Sequence, residues 1–370
     1  MTVAPGAIPA TIRGMEVEVP SGSEAETGLA PSSPEEVETI LRFATDQRLK
    51  VQVWGGGSHQ GYGRLETPDL VLLTNRLDGV EAWEPDDLTL TIGSGTQVAR
   101  FEEMLSERNQ TAVMPEHPGP ATIGGVISAG VSSLKRGRLL GTRERLLEVI
   151  MVTGDGRRVR AGGRVVKNVS GYDLSRFVVG AFGALGVVVS VCLKLWPVPR
   201  AKATVTDPDL DLLHTLSRPL AVLERNGVTQ VFLWGIDEEV VASADRIGGQ
   251  MTPGHTWPTD PEAAFRWSLR VPPALTAAAI SKLPASWSYL AIHGVGEIRL
   301  GSDDAEGAQE LREWSEASAG RLVVVDSPRG SLPDFDPWGA LPEGIEIQRR
   351  LIGQFDPSRV INPGRLPGGI

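Results

Sequence analysis

The sequence predicts an α+β protein built in two parts, and three observations carry that expectation. Residues 33–199 mix short strands and helices around three glycine clusters, at 55–63, 121–130 and 180–186. Pro197-Val198-Pro199 then punctuates the chain as a natural boundary. Beyond it, residues 200–370 alternate strand-like and helical runs, the pattern of an antiparallel sheet backed by helices.

In order, residues 1–32 are rich in Pro, Gly, Ser and Ala and read as an arm with a short strand around residues 15–19. Ser33-Pro34-Glu35-Glu36 starts a helix, with a capping hydroxyl, proline at the first helical position and acids at the positive end of the dipole. Val37, Ile40, Leu41 and Ala44 form its apolar stripe. Strands follow at 51–54, 70–74 and 88–92, a turn at 84–87 and a helix at 98–107. Residues 146–153 and 157–161 form a hairpin across Gly154-Asp155-Gly156. In residues 165–196, Gly180, Gly183 and Gly186 expose bare backbone ahead of VVVSVCLKL, a valine-rich run that reads as a buried strand. Strands are expected at 230–234, 240–244, 289–293 and 322–325, helices at 207–216 and 305–319, and a loop at 252–273.

The chain has 370 residues, 41% hydrophobic and 22% charged, the composition of a soluble protein with a sizeable core. Its 46 acidic against 36 basic residues give a net charge of −10, which argues against nucleic acid or an anionic membrane as partner. Cys192 is the only cysteine, so no internal disulfide, cysteine-held metal or iron–sulfur cluster can form, which suits a reducing cytoplasm. The first twenty residues lack the pattern of a signal peptide. Residues 177–193 are uncharged but sit at the short limit of about 17 residues for a membrane span, and their glycines argue against one.

Two clusters carry the chemistry. Gly55, Gly56 and Gly57 directly follow a strand, so their N–H groups make an anion nest, to which Ser58 adds a donor. Neither a Walker loop nor a G-x-G-x-x-G fingerprint fits; a flexible turn is the other reading. Thr122 reads as a helix cap, with Gly124 and Gly125 leaving the first turn bare for a phosphate. Two such loops imply a pyrophosphate held from both sides. The cluster at 180–186, which alone reads as a packed glycine floor, then becomes a surface for a flat ring or an adenosine.

The order GGGSHQGYG, PGPATIGGVISAG, VKNVSGYDLSRFVVGAFGALGVV and FDPSRVINPGRL resembles the FAD-binding oxidoreductases of the vanillyl-alcohol oxidase/p-cresol methylhydroxylase (PCMH) type. More narrowly it resembles the GlcE-type FAD-binding subunits of bacterial glycolate oxidases. The resemblance implies a PCMH-type FAD-binding domain of two α/β subdomains at 33–199. A smaller α+β cap domain would follow at 200–370, with its tail returning to the FAD domain. It implies FAD as cofactor, held by Gly55, Gly56, Gly57, Ser58, His59, Gly61, Thr122, Gly124, Gly125, Ser128, Gly186 and Val187. Asn168, Gly171, Tyr172 and Asp173 form the family's polar turn, which either faces the flavin or is structural. Some relatives join a histidine of the first loop covalently to the flavin; here His59 falls after GGGS, and a solvent-facing histidine is the expectation.

The family's metal-binding HxGDGNxH-like segment has only IHGVGEIRL as counterpart, so no metal site is expected. His293 and Glu297, with Tyr172, remain as weak candidates for catalysis. Arg136, Arg138 and Arg143 are either carboxylate clamps or a solvated basic loop. The expected function is the FAD-binding subunit of a glycolate oxidase-like complex that oxidises a short 2-hydroxy acid, glycolate or D-lactate, to the 2-oxo acid. A sister FAD subunit and an iron–sulfur subunit would be its partners, and any membrane association would run through them. The alternatives are a non-catalytic flavin-binding scaffold in that complex and a stand-alone FAD-dependent alcohol or sugar oxidase.

Overall fold

A computed structural model describes residues 8–163 and 174–370, which divide into two compact units. The first comprises Met1–Ser132, Thr142–Pro197 and Leu341–Ile370; the second comprises Ser133–Gly141 and Val198–Ala340. The polar turn at 168–173 lies outside the described residues.

The first unit starts with the helix Pro34–Gln47. Ser33 Oγ accepts from Glu36 N at 3.2 Å, and the Glu36 carboxylate reaches back to Ser32 N at 2.6 Å, so each end of the first turn satisfies the other. Arg48, at φ 57°, ends the helix in the left-handed conformation. Val37, Ile40, Leu41 and Ala44 are fully buried against a four-stranded sheet. Its strands run in the order Glu16–Val17, Thr27–Leu29, Leu70–Leu73, Val51–Trp54, the last three parallel. Residues 16–29 are thus part of this sheet.

A second, antiparallel sheet has the order Val80–Glu84, Thr89–Gly93, Val187–Lys194, Leu146–Val152, Arg158–Gly162. The valine-rich strand is central, and both of its faces are buried. Val187 and Val189 join the core under Pro34–Gln47, whereas Val188, Val191 and Leu193 join a core shared with the helices Val98–Ser106 and Ile123–Ala129. A bulge between Val188 and Ser190 shifts the alternation. The continuous apolar run is explained by this two-sided burial. Gly180, Gly183 and Gly186 sit in turns ahead of the strand, all at positive φ. Gly130, itself at φ 68°, would carry a Cβ only 3.0 Å from Gly180 Cα, so the two backbones meet where no side chain fits.

The tail adds the helix Ile345–Phe355, then runs beside the first sheet, where Val51 N donates to Val360 O at 2.7 Å and Asn362 N to Val51 O at 2.9 Å.

The second unit is one antiparallel eight-stranded sheet. Its strand order is Gln250–Pro253, Ala201–Thr206, Val228–Gly235, Ala221–Arg225, Ser288–Ile292, Glu297–Ser302, Phe265–Arg270, Arg321–Asp326. Two expectations fail here. Residues 240–244 belong to the helix Asp237–Ile247, not to a strand. Three acids start that helix, and Val240, Ala244 and Ile247 bury one face at helical spacing, which overrides the β preference of paired valines. The expected loop at 252–273 contains the strand Phe265–Arg270, whose Phe265, Trp267 and Leu269 alternate into the core beneath Ala308–Ala317. The expected helix at 207–216 is a short 3-10 turn, Leu210–Thr215. Among the described residues no helix is long and apolar enough to cross a membrane.

Candidate cofactor site

In the first unit, three glycine segments and the tail line one open cleft of about 610 Å³. The strand Val51–Trp54 delivers Gly55, Gly56, Gly57, Ser58 and His59 to one wall. Thr122, Gly124, Gly125 and Ser128 form a second, and Gly183, Gly186 and Phe182 a third. Sequence reasoning thus places ten residues on the walls; Gly61 and Val187 are not there. Gly61 is exposed, and Val187 points into the hydrophobic core between cleft-lining Gly186 and Val188.

The glycines serve two different purposes. A Cβ on Gly56 would lie 1.7 Å from Pro120 O, and one on Gly55 would lie 2.3 Å from Thr122 Oγ1, so these two let the loops at 55–58 and 120–122 touch. Gly57, at φ 80°, makes the turn. Gly125 differs. Apart from its own helix, a Cβ there would meet only Thr122 Oγ1 at 3.2 Å, so its bare face belongs to the cleft. Thr122 caps the helix, accepting from Gly125 N at 3.3 Å.

These residues fit FAD on two counts. The wall at Gly125 is a surface that a side chain would fill. Ser58 Oγ is buried on the opposite loop with no hydrogen-bond partner among the described residues, an arrangement that costs about 1–3 kcal/mol unless a ligand acceptor or donor meets it. His59 does not face solvent as expected; it is half-buried on the cleft wall, because its carbonyl is held by Arg365 Nη2 at 2.5 Å.

Two tail residues on the wall escaped the sequence reading. Asn362 Oδ1 accepts from Val53 N at 2.9 Å while its Nδ2 donates to Phe182 O at 2.8 Å. Arg365 is 3% exposed and its Nη1 donates to Gln60 Oε1 at 2.7 Å. The sequence marked residues 362–364 only as a tight turn; nothing local signals contact with a loop some 300 positions earlier.

The second unit holds the other candidates. Glu297 is no proton acceptor. Its carboxylate receives Arg136 Nη1 at 2.5 Å and Arg299 Nε at 3.1 Å, and Arg299 also reaches Asp260 at 2.8 Å. Burial pushes Glu297 upward, but the charges of Arg299, Arg270 and Arg136 outweigh it and hold the carboxyl below its ordinary 4.5. Arg136 is therefore committed to Glu297, Arg138 donates to the Arg218 carbonyl at 2.8 Å, and Arg143 is exposed. His293 Nε2 donates to Glu224 at 3.0 Å, and the same carboxylate accepts from Tyr289 OH, whose pKa is pushed up to about 12 by burial and that bond. A carboxylate cannot donate, so Nε2 carries the proton and Nδ1 remains the basic nitrogen. Tyr172 lies outside the described residues.

Glu297→Gln is expected to cost about 3 kcal/mol at neutral pH, because it leaves buried arginines without their counter-charge. Since the folded pKa is depressed, the wild-type advantage is complete above 4.5 and drains away as pH falls through the lower folded value. Urea unfolding of both proteins across acid pH checks this, and a difference that does not change with pH contradicts it.

Comparison with known proteins accords with this geometry. Residues 26–162 match an FAD binding domain. The chain is 28% identical over 308 residues to the glycolate oxidase subunit GlcE of Escherichia coli, covering 78% of this chain and 84% of that protein. It is 31% identical over 195 residues to a D-lactate dehydrogenase of Archaeoglobus fulgidus and 31% over 184 residues to the glycolate oxidase subunit GlcD of Bacillus subtilis. Those matches span only 43% and 38% of the relatives' own lengths. Among solved structures, an alkyldihydroxyacetonephosphate synthase superposes with a TM-score of 0.67 over 92% of this chain and 76% of its own, at 14% identity, which speaks to the fold alone. The chain belongs to the FAD-binding oxidoreductases of the vanillyl-alcohol oxidase/p-cresol methylhydroxylase type, with FAD as its cofactor.

Proposed function

We propose that the chain is the FAD-binding subunit of a glycolate oxidase-like complex that oxidises a short 2-hydroxy acid, glycolate or D-lactate, to the 2-oxo acid. The observation that carries the reading is the three-walled glycine cleft in a chain that aligns along 84% of GlcE. In this reading the FAD-binding domain spans 33–199 and the tail, and the remainder selects the substrate. Bound FAD supplies the acceptor for a hydride from the carbon bearing the hydroxyl. The chain's own part is to hold that cofactor: residues 55–58 and 122–125 grip its diphosphate, and Gly183, Gly186 and Phe182 floor the cleft. The hydroxyl proton leaves to a base, and His293 Nδ1 is the candidate kept in basic form by Glu224. A sister FAD subunit and an iron–sulfur subunit would complete the complex in the cytoplasm and carry any membrane contact.

The engagement of Glu297 by two arginines favours one alternative, a flavin-binding subunit without chemistry of its own. Anaerobic addition of glycolate or D-lactate to the isolated, flavin-loaded chain decides between them. Bleaching of the flavin band, with return of colour on adding a dye acceptor, is the expected result. A stable yellow protein that bleaches only once partner subunits are added would establish the scaffold role.

A further inference from the structure

We propose that Arg365 recognises the diphosphate of FAD, and that the turn Asn362–Arg365 is a clasp by which the tail closes on the cofactor. The inference rests on the assignment of the first unit's cleft to FAD made above. Arg365 is 3% exposed, yet it lines the same cleft as Gly55, Ser58, Thr122 and Gly125. Its Nη1 and Nη2 donate at 2.7 and 2.5 Å to the Gln60 side chain and the His59 carbonyl. These two acceptors directly follow the glycine nest. The guanidinium lies 5.9 Å from the Phe182 ring centroid, so it stands between the first and third walls.

Asn362 spans the same gap, joining Val53 N to Phe182 O. Gly183 could not carry a side chain there, since its Cβ would fall 2.9 Å from Asn362 Nδ2. The tail thereby sets the spacing of the walls and places a cation between them.

Burying a guanidinium is costly, and burial lowers the Arg365 pKa to about 10, which still leaves it charged at neutral pH. Oxidised FAD offers one charged group for it. The ring, ribityl chain, ribose and adenine are neutral, and only the diphosphate is anionic. Arginine meets phosphate with two parallel N–H donors, and the match is directional as well as electrostatic.

The test titrates apo-protein with FAD, ADP, adenosine and riboflavin, following flavin fluorescence or competition, for wild type, Arg365→Met and Arg365→Lys. In the wild type, ADP should compete far better than adenosine. Arg365→Met is expected to weaken FAD and ADP about 10- to 100-fold, leave riboflavin unchanged, and leave the midpoint potential of bound flavin in place. Arg365→Lys should recover much of the loss by restoring the charge. Equal affinities for Arg365→Met and wild type overturn the proposal, and so does unchanged affinity with a lowered potential, which would assign the charge to the reduced ring. If Arg365→Met fails to fold, the ADP-against-adenosine comparison on the wild type decides alone: equal competition overturns the idea. Wild-type protein that takes up no FAD at all would instead remove the cleft assignment itself.

Discussion

Gly125→Leu is expected to abolish FAD retention while leaving the apo-protein as stable as the wild type. The reason is where the new side chain goes. Apart from its own helix, a Cβ at Gly125 meets only the Thr122 hydroxyl, at 3.2 Å, and the rest of the leucine must occupy the cleft. Replacing a helical glycine by leucine recovers roughly 0.5–1 kcal/mol of helix propensity, which offsets the slight crowding of the cap. The cofactor has no comparable escape, because the opposite wall is formed by backbone at Gly55–Ser58. A rise in the FAD dissociation constant of about 100-fold or more is expected, equivalent to roughly 2.7 kcal/mol. Thermal melts of the apo forms should agree within about 1 kcal/mol. A variant that binds FAD normally would move the cofactor away from this wall.

Gly56→Ala should do the reverse and damage the fold before it touches the cofactor. The added methyl would sit 1.7 Å from Pro120 O, where no flexible side chain can yield. The loop at 55–58 must then part from the segment at 118–121, whose Ala121 is 3% exposed and belongs to the core. A loss of about 3 kcal/mol or more in the apo-protein is expected, which lowers its melting point by roughly 6–12 °C. Melting and urea unfolding without flavin measure this directly. An apo-protein of normal stability would show that the two loops are not in the contact described. The two substitutions separate what the sequence could not, a glycine kept for a ligand and one kept for a neighbouring loop.

That distinction marks how far the sequence could be read. The loops at 55–58 and 122–128 were legible because their signals are local: glycines at a strand's end, and a threonine cap before a glycine pair. The valine-rich strand was legible because burial on both faces leaves an unbroken apolar run. Asn362 and Arg365 were not, since their roles exist only once the tail has returned beside Val51. Glu297 looked like a free carboxylate because its arginines come from separate segments, at Arg136, Arg270 and Arg299. The helix Asp237–Ile247 was missed although its three leading acids announced it; the valine pair drew the reading toward a strand. The strand Phe265–Arg270 was hidden by surrounding prolines and tryptophans, although its apolar residues alternate.

The most direct test of the central claim is a crystal structure of the flavin-loaded protein. The account predicts the diphosphate between residues 55–58 and Thr122–Gly125, with Ser58 Oγ and Arg365 in hydrogen-bond contact with it and the ring system over the Gly183–Gly186 wall. Density for FAD elsewhere, with Ser58 and Arg365 as they stand without it, would contradict that account.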